Sequence, residues 1–145
     1  MSYAQLKLDQ QLCFPLYADS RLVIREYQPF LDKLNITYPQ YLALLVLWEE
    51  DGITVNDLAH KLILNTNTVT PLLKRLEQQG LLTRTKSSQD ERKVVLQLTQ
   101  KAKELERDAA CIPLQLIEGL QNSSMSVDDL VALKHKLDEL IRLLK

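Results

Sequence analysis

The stretch TVNDLAHKLILNTNTVTPLLKRLEQQGLLTRTKSSQDERKVVLQL, residues 54–98, decides the fold. Thr54 is placed to cap a helix, with Asp57 three residues on as an acidic version of the reciprocal capping pattern. The helix it opens runs to about Leu62, and Ile63 to Thr66 reads as a turn. A second helix follows from about Asn67 to Gln79, with Val69, Leu72, Leu73 and Leu76 facing inward and Gly80 as its stop. There the hydrophobic period changes to about two residues. Leu82-Thr83-Arg84-Thr85 reads as a strand, Lys86 to Arg92 as a polar tip, and Lys93 to Leu98 as the returning strand. Short helices alone would be a plain bundle. A helix-turn-helix followed at once by a β-hairpin is the winged-helix arrangement.

Residues 8–34 read as one long helix on the recurrence of Leu8, Leu12, Leu16, Val23, Tyr27, Phe30, Leu31 and Leu34, with Pro15 near its first turn and Pro29 near its last. Pro39 suits the first turn of a helix ending near Glu50, closed by Asp51-Gly52. Beyond the hairpin, Thr99 caps a helix to about Gly119, and Ser126-x-x-Asp129 opens a last one over 126–144. The expected fold is therefore mainly α with a small β-hairpin (α+β): a winged helix-turn-helix lobe over about 39–98 inside a single domain, 1–145, completed by helices 8–34, 99–119 and 126–144. Those outer helices carry more apolar surface than a small winged-helix core can cover. Leaving it in water costs about 25 cal/mol per Å². A symmetric homodimer buries it, and so does a monomer that folds the helices back on itself; the dimer is the expectation adopted.

The 145 residues, 46% hydrophobic and 26% charged, are those of an ordinary globular chain. The start, MSYAQLKLDQQLC, has no signal-peptide pattern, and no apolar run is long enough for a membrane span, so a cytoplasmic protein with no membrane partner is expected. Two cysteines then read as free thiols rather than a disulfide framework. The net charge of −1 is unevenly spread. From Lys74 to Lys93 there are six cations (Lys74, Arg75, Arg84, Lys86, Arg92, Lys93) and three acids (Glu77, Asp90, Glu91), a net +3 that leaves −4 for the rest. A basic block on an acidic body fits a double-stranded DNA reader, and also fits a solvated helix face. On the first of these readings Thr66, Asn67, Thr68 and Thr70 open the recognition helix with short donors and acceptors for base edges or phosphates. Lys74 and Arg75 follow at phosphate height, and Arg84 and Lys86 lie on the wing. Arg92 reaches a minor groove, held by Asp90 in a bidentate pair. Two such helices about 34 Å apart call for a pseudo-palindromic operator.

Enzymatic and metal readings fare worse. A cysteine hydrolase needs a base near its nucleophile, and the two histidines, His60 and His135, stand in helical segments with no local signature. Cys13, His60, Cys111 and His135 are isolated from one another, so no metal and no cofactor is expected.

Leu64 to Glu77, with Gly80-Leu81-Leu82-Thr83-Arg84 and Asp90-Glu91-Arg92, resembles the MarR family of regulators. Gln11-Leu12-Cys13-Phe14-Pro15-Leu16-Tyr17 and Thr37-Tyr38-Pro39-Gln40-Tyr41-Leu42 resemble its organic-hydroperoxide-sensing OhrR branch. The likeness extends over the chain to about Pro113. It implies a repressor dimer whose sensor thiol is Cys13, with Tyr27 and Tyr38 of the other subunit hydrogen-bonded to it and Tyr17 nearby. It also implies that Asp90 and Arg92 are the wing pair. The chain departs from the family pattern in two places. Asn65-Thr66-Asn67 replaces the usual Asp-Ser-Gly turn, and the resolving thiol of two-cysteine members falls at Glu118 rather than at Cys111. Cys111 is either a resolving thiol or a structural residue.

The chemistry implied is attack of the Cys13 thiolate on an organic hydroperoxide, giving a sulfenic acid that condenses with a low-molecular-weight thiol or another cysteine. Helix dipole and tyrosine donors would favour the thiolate. Two other readings stay open on the residues alone. Cys13 is a small buried hydrophobe, or the repressor is released by a small aromatic ligand, with Tyr17, Tyr27 and Tyr38 lining its pocket.

Overall fold

The computed structural model describes residues 3–121 and 124–145, which fall into two compact units, Met1–Ala110 and Cys111–Lys145. The first unit opens with two 3₁₀ turns, Ala4–Leu6 and Leu8–Gln10, and continues with α1 (Cys13–Leu34), α2 (Tyr38–Glu49), α3 (Val55–Leu62), α4 (Thr66–Gln78), β1 (Leu82–Lys86), β2 (Val94–Leu98) and α5 (Gln100–Ala109). The second holds α6 (Ile112–Leu120) and α7 (Val127–Leu144).

The expected helix 8–34 begins five residues late, at Cys13. Pro15 explains the shift. Its ring occupies the place of the Gln11 carbonyl in a continuous helix, so no regular helix extends far upstream of it. Gln11 is extended instead, and its side-chain amide donates to the carbonyls of Gln5 and Lys7 at 2.8 and 2.9 Å. Pro29 lies inside α1, more than a turn from its end; the Arg25 carbonyl it leaves without a helical donor belongs to an exposed residue. The expected helix 99–119 is two helices, because Pro113 has no N–H to give the Ala109 carbonyl and its ring crowds that oxygen. Pro113 sits instead in the first turn of α6, where a missing donor costs nothing.

The four-helix lobe is fixed by caps. Thr37 and Gln40 close a reciprocal box on α2, and Thr54 and Asp57 close one on α3. Asn65 caps α4 by accepting from the Thr68 N–H at 2.9 Å, so α4 begins one residue earlier than expected. Asn35 and Ile63 end α1 and α3 in the left-handed region, at φ 55° and 57°. Gly80, at φ 73°, turns the chain from α4 into the hairpin.

β1 and β2 pair antiparallel from Leu82↔Leu98 to Lys86↔Val94. The chain before α3 adds a short third rung: Leu96 N–H donates to the Ile53 carbonyl at 2.8 Å, and Thr54 bridges Val95. Leu31, Leu44, Leu47, Leu58, Val69, Leu73, Leu76, Leu82 and Leu96 are buried and form the core of this unit; Leu72 is only half-buried. In the second unit Ile112 and Leu116 are buried. Ser126 and Asp129 cap α7 as expected, but no α7 residue is buried, and Leu133, Ile141, Leu143 and Leu144 are exposed. Among the described residues no helix is long and apolar enough to cross a membrane.

The Thr54 hydroxyl and N–H both donate to Asp57, at 2.7 and 3.1 Å, and hold its carboxyl below the usual aspartate range. The folded-state value lies below that of the unfolded chain. The stabilisation is therefore complete above about pH 3.9 and is lost as pH falls further. Thr54→Ala is expected to cost about 1 kcal/mol at neutral pH in a denaturant titration, and less of that difference should remain at pH 3.

Candidate nucleic-acid interface and sensor thiol

The exposed end of α4 lies between α3 and the wing. Thr54, Val55 and Asn56 of the α3 start, Thr66 and Thr70 of α4, and Arg84, Arg92, Lys93 and Val94 of the hairpin line a concavity of about 190 Å³. Arg92 and Lys93 thus border the starts of α3 and α4, an arrangement that suits phosphate. The expected contact residues divide into groups. Thr68 Oγ1 donates to the Asn65 side chain at 3.1 Å, and Thr70 Oγ1 to the Thr66 carbonyl at 2.7 Å, so both hydroxyl protons are spent inside the helix. The Thr66 and Asn67 side chains are exposed and have no side-chain hydrogen bond within the described residues. Asn65 carries out the capping that an aspartate would, so the departure from the family's turn leaves the helix start intact.

Lys74 and Lys86 are exposed. Arg75 is separated from the α4 start: it lines a different cavity, of about 460 Å³, with Gln28, Asp32 and Asn35 of the α1 end and Gln78 and Gln79 of the α4 end. Arg84 is tied down. Its Nε and Nη2 donate to Glu77 at 3.3 and 3.1 Å and its backbone N–H to the same carboxylate at 2.9 Å, which holds Glu77 below the usual glutamate range and fastens β1 to α4. The Asp90–Arg92 pair exists, but it is not bidentate. Arg92 Nε and N–H both reach one oxygen, Asp90 Oδ1, at 3.3 and 3.1 Å. A two-residue spacing brings the backbone N–H to the acid first, and the guanidinium is left 93% exposed at the wing tip.

Cys13 is the first residue of α1 and is exposed. No acidic residue stands in that first turn, and Leu12 supplies no side-chain cap, so the helix N-terminus is available to an anion. Tyr17, a turn further on, is exposed and carries the Arg21 guanidinium over its ring at 4.6 Å. Tyr27 and Tyr38 stand together, ring centroids 5.0 Å apart, with Tyr41 at 5.8 and 6.2 Å and Trp48 at 6.5 Å from Tyr41. Burial, then the neighbouring Tyr38 and Tyr41, push the Tyr27 phenol up to about 12, and burial raises Tyr38 as well. Both phenols thus stay protonated and able to donate. The thiol and the tyrosines are not brought together within one chain. Cys13 and Tyr27 occupy the same helix 14 residues apart, about 21 Å at the helical rise. Cys111, the cap residue of α6, belongs to the second unit. Among the described residues no three His, Cys, Asp or Glu side chains are grouped to hold a metal.

Three features were not read from the sequence. Tyr41 completes the aromatic cluster. Trp48 Nε1 donates to the Ala102 carbonyl at 3.0 Å, joining α2 to α5. Gln40 is buried. The pattern Thr37-x-x-Gln40 carries the capping-box signature and could have revealed the third.

Residues 25–108 match the family model described as transcriptional regulator SarA/Rot. The organic hydroperoxide resistance transcriptional regulator of Bacillus subtilis is 49% identical over 142 residues, spanning 98% of this chain and 95% of that one. The structure of reduced AbfR bound to DNA superposes with a TM-score of 0.78 at 34% identity, covering 97% of this chain and 96% of AbfR. The overoxidised AbfR bound to DNA gives 0.76 at 35%, covering 97% of each chain; AbfR comes from Staphylococcus epidermidis. With its helix-turn-helix and wing, and relatives of this identity along nearly its whole length, the chain belongs to the MarR family of transcriptional regulators, in the organic-hydroperoxide-sensing OhrR branch.

Proposed function

We propose that two copies of this chain form a repressor that holds a pseudo-palindromic operator and releases it when an organic hydroperoxide oxidises Cys13. The observation that carries this reading is the separation along α1. The protonated phenols of Tyr27 and Tyr38 suit a thiolate, yet Tyr27 lies about 21 Å along α1 from the thiol of its own chain, and Tyr38 packs beside Tyr27. They meet a thiol only if a second α1 runs antiparallel to the first. Residues 13, 20 and 27 are seven apart and share one stripe of the helix, so the two helices cross at Ser20. A small exposed residue at that crossing allows close approach. The exposed Leu12 just before α1, Phe14, Leu16 and Leu22 of α1 and, in the second unit, Leu114, Leu133 and Ile141 supply apolar surface for the second copy to cover. On this reading the chain is one MarR-type domain acting in the cytoplasm, with residues 39–98 as its DNA-binding lobe and α4 as the recognition helix.

The chemistry is a two-electron oxidation. The thiolate attacks the distal peroxide oxygen, an S–O bond forms as the O–O bond breaks, and the alkoxide leaves, taking a proton to become the alcohol. The sulfenic acid then condenses with a low-molecular-weight thiol, or with Cys111, to give a disulfide and water. Either product removes the anion that the phenols served. AbfR was solved on DNA both reduced and overoxidised, and separately with a disulfide formed. That set favours the condensed disulfide as the releasing form here.

Thr66, Asn67, Lys74 and Lys86, with the exposed Arg92 held only at its Nε and backbone N–H by Asp90, are the groups offered to the duplex; Arg84 acts through Glu77 to set the wing against α4.

Two outcomes are expected. Wild-type protein treated with cumene hydroperoxide should lose about a hundredfold in operator affinity by gel shift, while Cys13→Ser should retain it; full release by Cys13→Ser, or release of the untreated protein by salicylate-like phenols alone, would contradict the reading. Ser20→Cys in a background with Cys13 and Cys111 replaced by serine should form a disulfide-linked dimer under mild oxidation. A chain that stays monomeric on a non-reducing gel would remove the antiparallel crossing.

A further inference from the structure

Gln40 is the one polar side chain buried among the described residues, 4% exposed. A buried primary amide is unfavourable unless its donors and acceptor are matched. Here they are. Gln40 Oε1 accepts from the Thr37 N–H at 2.8 Å, and Gln40 Nε2 donates to Gln79 Oε1 at 2.9 Å. Gln79 Nε2 donates in turn to the Asn35 carbonyl at 2.9 Å. The result is a closed chain of amides running from the α1–α2 corner to the C-terminal cap of α4. Tyr38 sits inside it, between Thr37 and Gln40.

We propose that the Gln40–Gln79 amide pair is the part that transmits displacement of Tyr38 to the recognition helix, which makes both glutamines positioning residues of the switch. The proposal rests on the reading that oxidation of Cys13 disturbs Tyr38. Tyr38 is the first residue of α2, so moving its ring away from an altered sulfur shifts the turn that Thr37 and Gln40 close. Gln40 is almost fully covered where it lines the Arg75 cavity with Thr37 and Gln79, and Gln79 Oε1 is the acceptor already in place. Its amide keeps its partner, and Gln79 follows. Gln79 caps α4, and the carbonyls next to the cap are held from the other side: Lys101 Nζ donates to the Gln79 carbonyl at 2.7 Å and Thr99 Oγ1 to the Gly80 carbonyl at 2.6 Å. Those two bonds make a pivot. α4 is about 20 Å long, so a tilt of about 10° at Gln79 carries Thr66 through about 3 Å, enough to spoil a base contact.

The test compares Gln79→Met, the double variant Gln40→Met/Gln79→Met, and Gln78→Met as a control on the exposed neighbouring residue. The double variant removes both ends of the Gln40–Gln79 bond at nearly constant shape; the Thr37 N–H and the Asn35 carbonyl lose their side-chain partners, but both residues line the open cavity, where water replaces them, so folding is preserved. Operator affinity is measured before and after cumene hydroperoxide, with intact-mass analysis confirming equal oxidation of Cys13. The quantity read is the ratio of reduced to oxidised affinity. It should be about 100-fold in wild type and Gln78→Met, and should fall to about tenfold or less in the double variant. A double variant with the wild-type ratio overturns the proposal, whatever its absolute affinity. A wild-type ratio near one would instead defeat the sensing reading on which it stands.

Discussion

An α-helix advances about 1.5 Å per residue, and that fixed rise keeps Cys13 and Tyr27 apart in every copy of α1. No side-chain rotation bridges such a span. Any contact between this thiol and the Tyr27 phenol has to be made by two chains, and the proposed sensing depends on it. The same rigidity makes a dimer a good sensor. In the proposed dimer a change at one sulfur would act on the helix that joins both DNA-binding lobes, and a pair of lobes reads a duplex only at one spacing.

Around this frame, helix caps and hydrogen bonds to carboxylates do most of the positioning. The starts of α2, α3, α4, α5 and α7 each carry a Thr, Asn or Ser cap. The wing is fastened by Glu77 to Arg84 and by Asp51 Oδ1, which accepts the Leu98 N–H at 2.9 Å. Spending Arg84 on Glu77 removes a cation from the groove but fixes the angle of the hairpin that carries Arg92. The tip itself is left loose, with Arg92 almost fully exposed on a single-oxygen contact. Such a pair contributes little to stability; its geometry suits a side chain that orders on reaching a groove.

The fold was legible where one local signal decided it. The change of period after Gly80 gave the hairpin, and Thr54 with Asp57 gave the α3 start, because capping and alternation are read over a few residues. Pro39 marked the α2 start, but two other boundaries near prolines did not follow the periodicity. Pro15 and Pro113 act through the carbonyl four residues earlier, and hydrophobic periodicity passes over them without a break. Leu72 was placed inward by spacing alone, yet Val69, Leu73 and Leu76 fill the core ahead of it. Of the candidate site, the thiol, the tyrosines and the wing pair were visible as residues. Which of them lie close together was not, since it depends on the α1–α2 corner and on a second chain. Gln40 and Gln79, 39 residues apart, meet only through the packing of α2 on α4.

The most direct test of the two-chain sensor is subunit complementation. One chain carries Cys13→Ser with its tyrosines intact; the other keeps Cys13 but carries Tyr27→Phe and Tyr38→Phe. The measured quantity is the rate of Cys13 oxidation by cumene hydroperoxide, followed by intact mass. Alone, the tyrosine-less chain should react slowly; mixed and allowed to exchange, its Cys13 should approach the wild-type rate, because the partner subunit supplies the phenols. A rate that stays slow in the verified heterodimer would contradict the claim that thiol and phenols meet across the interface.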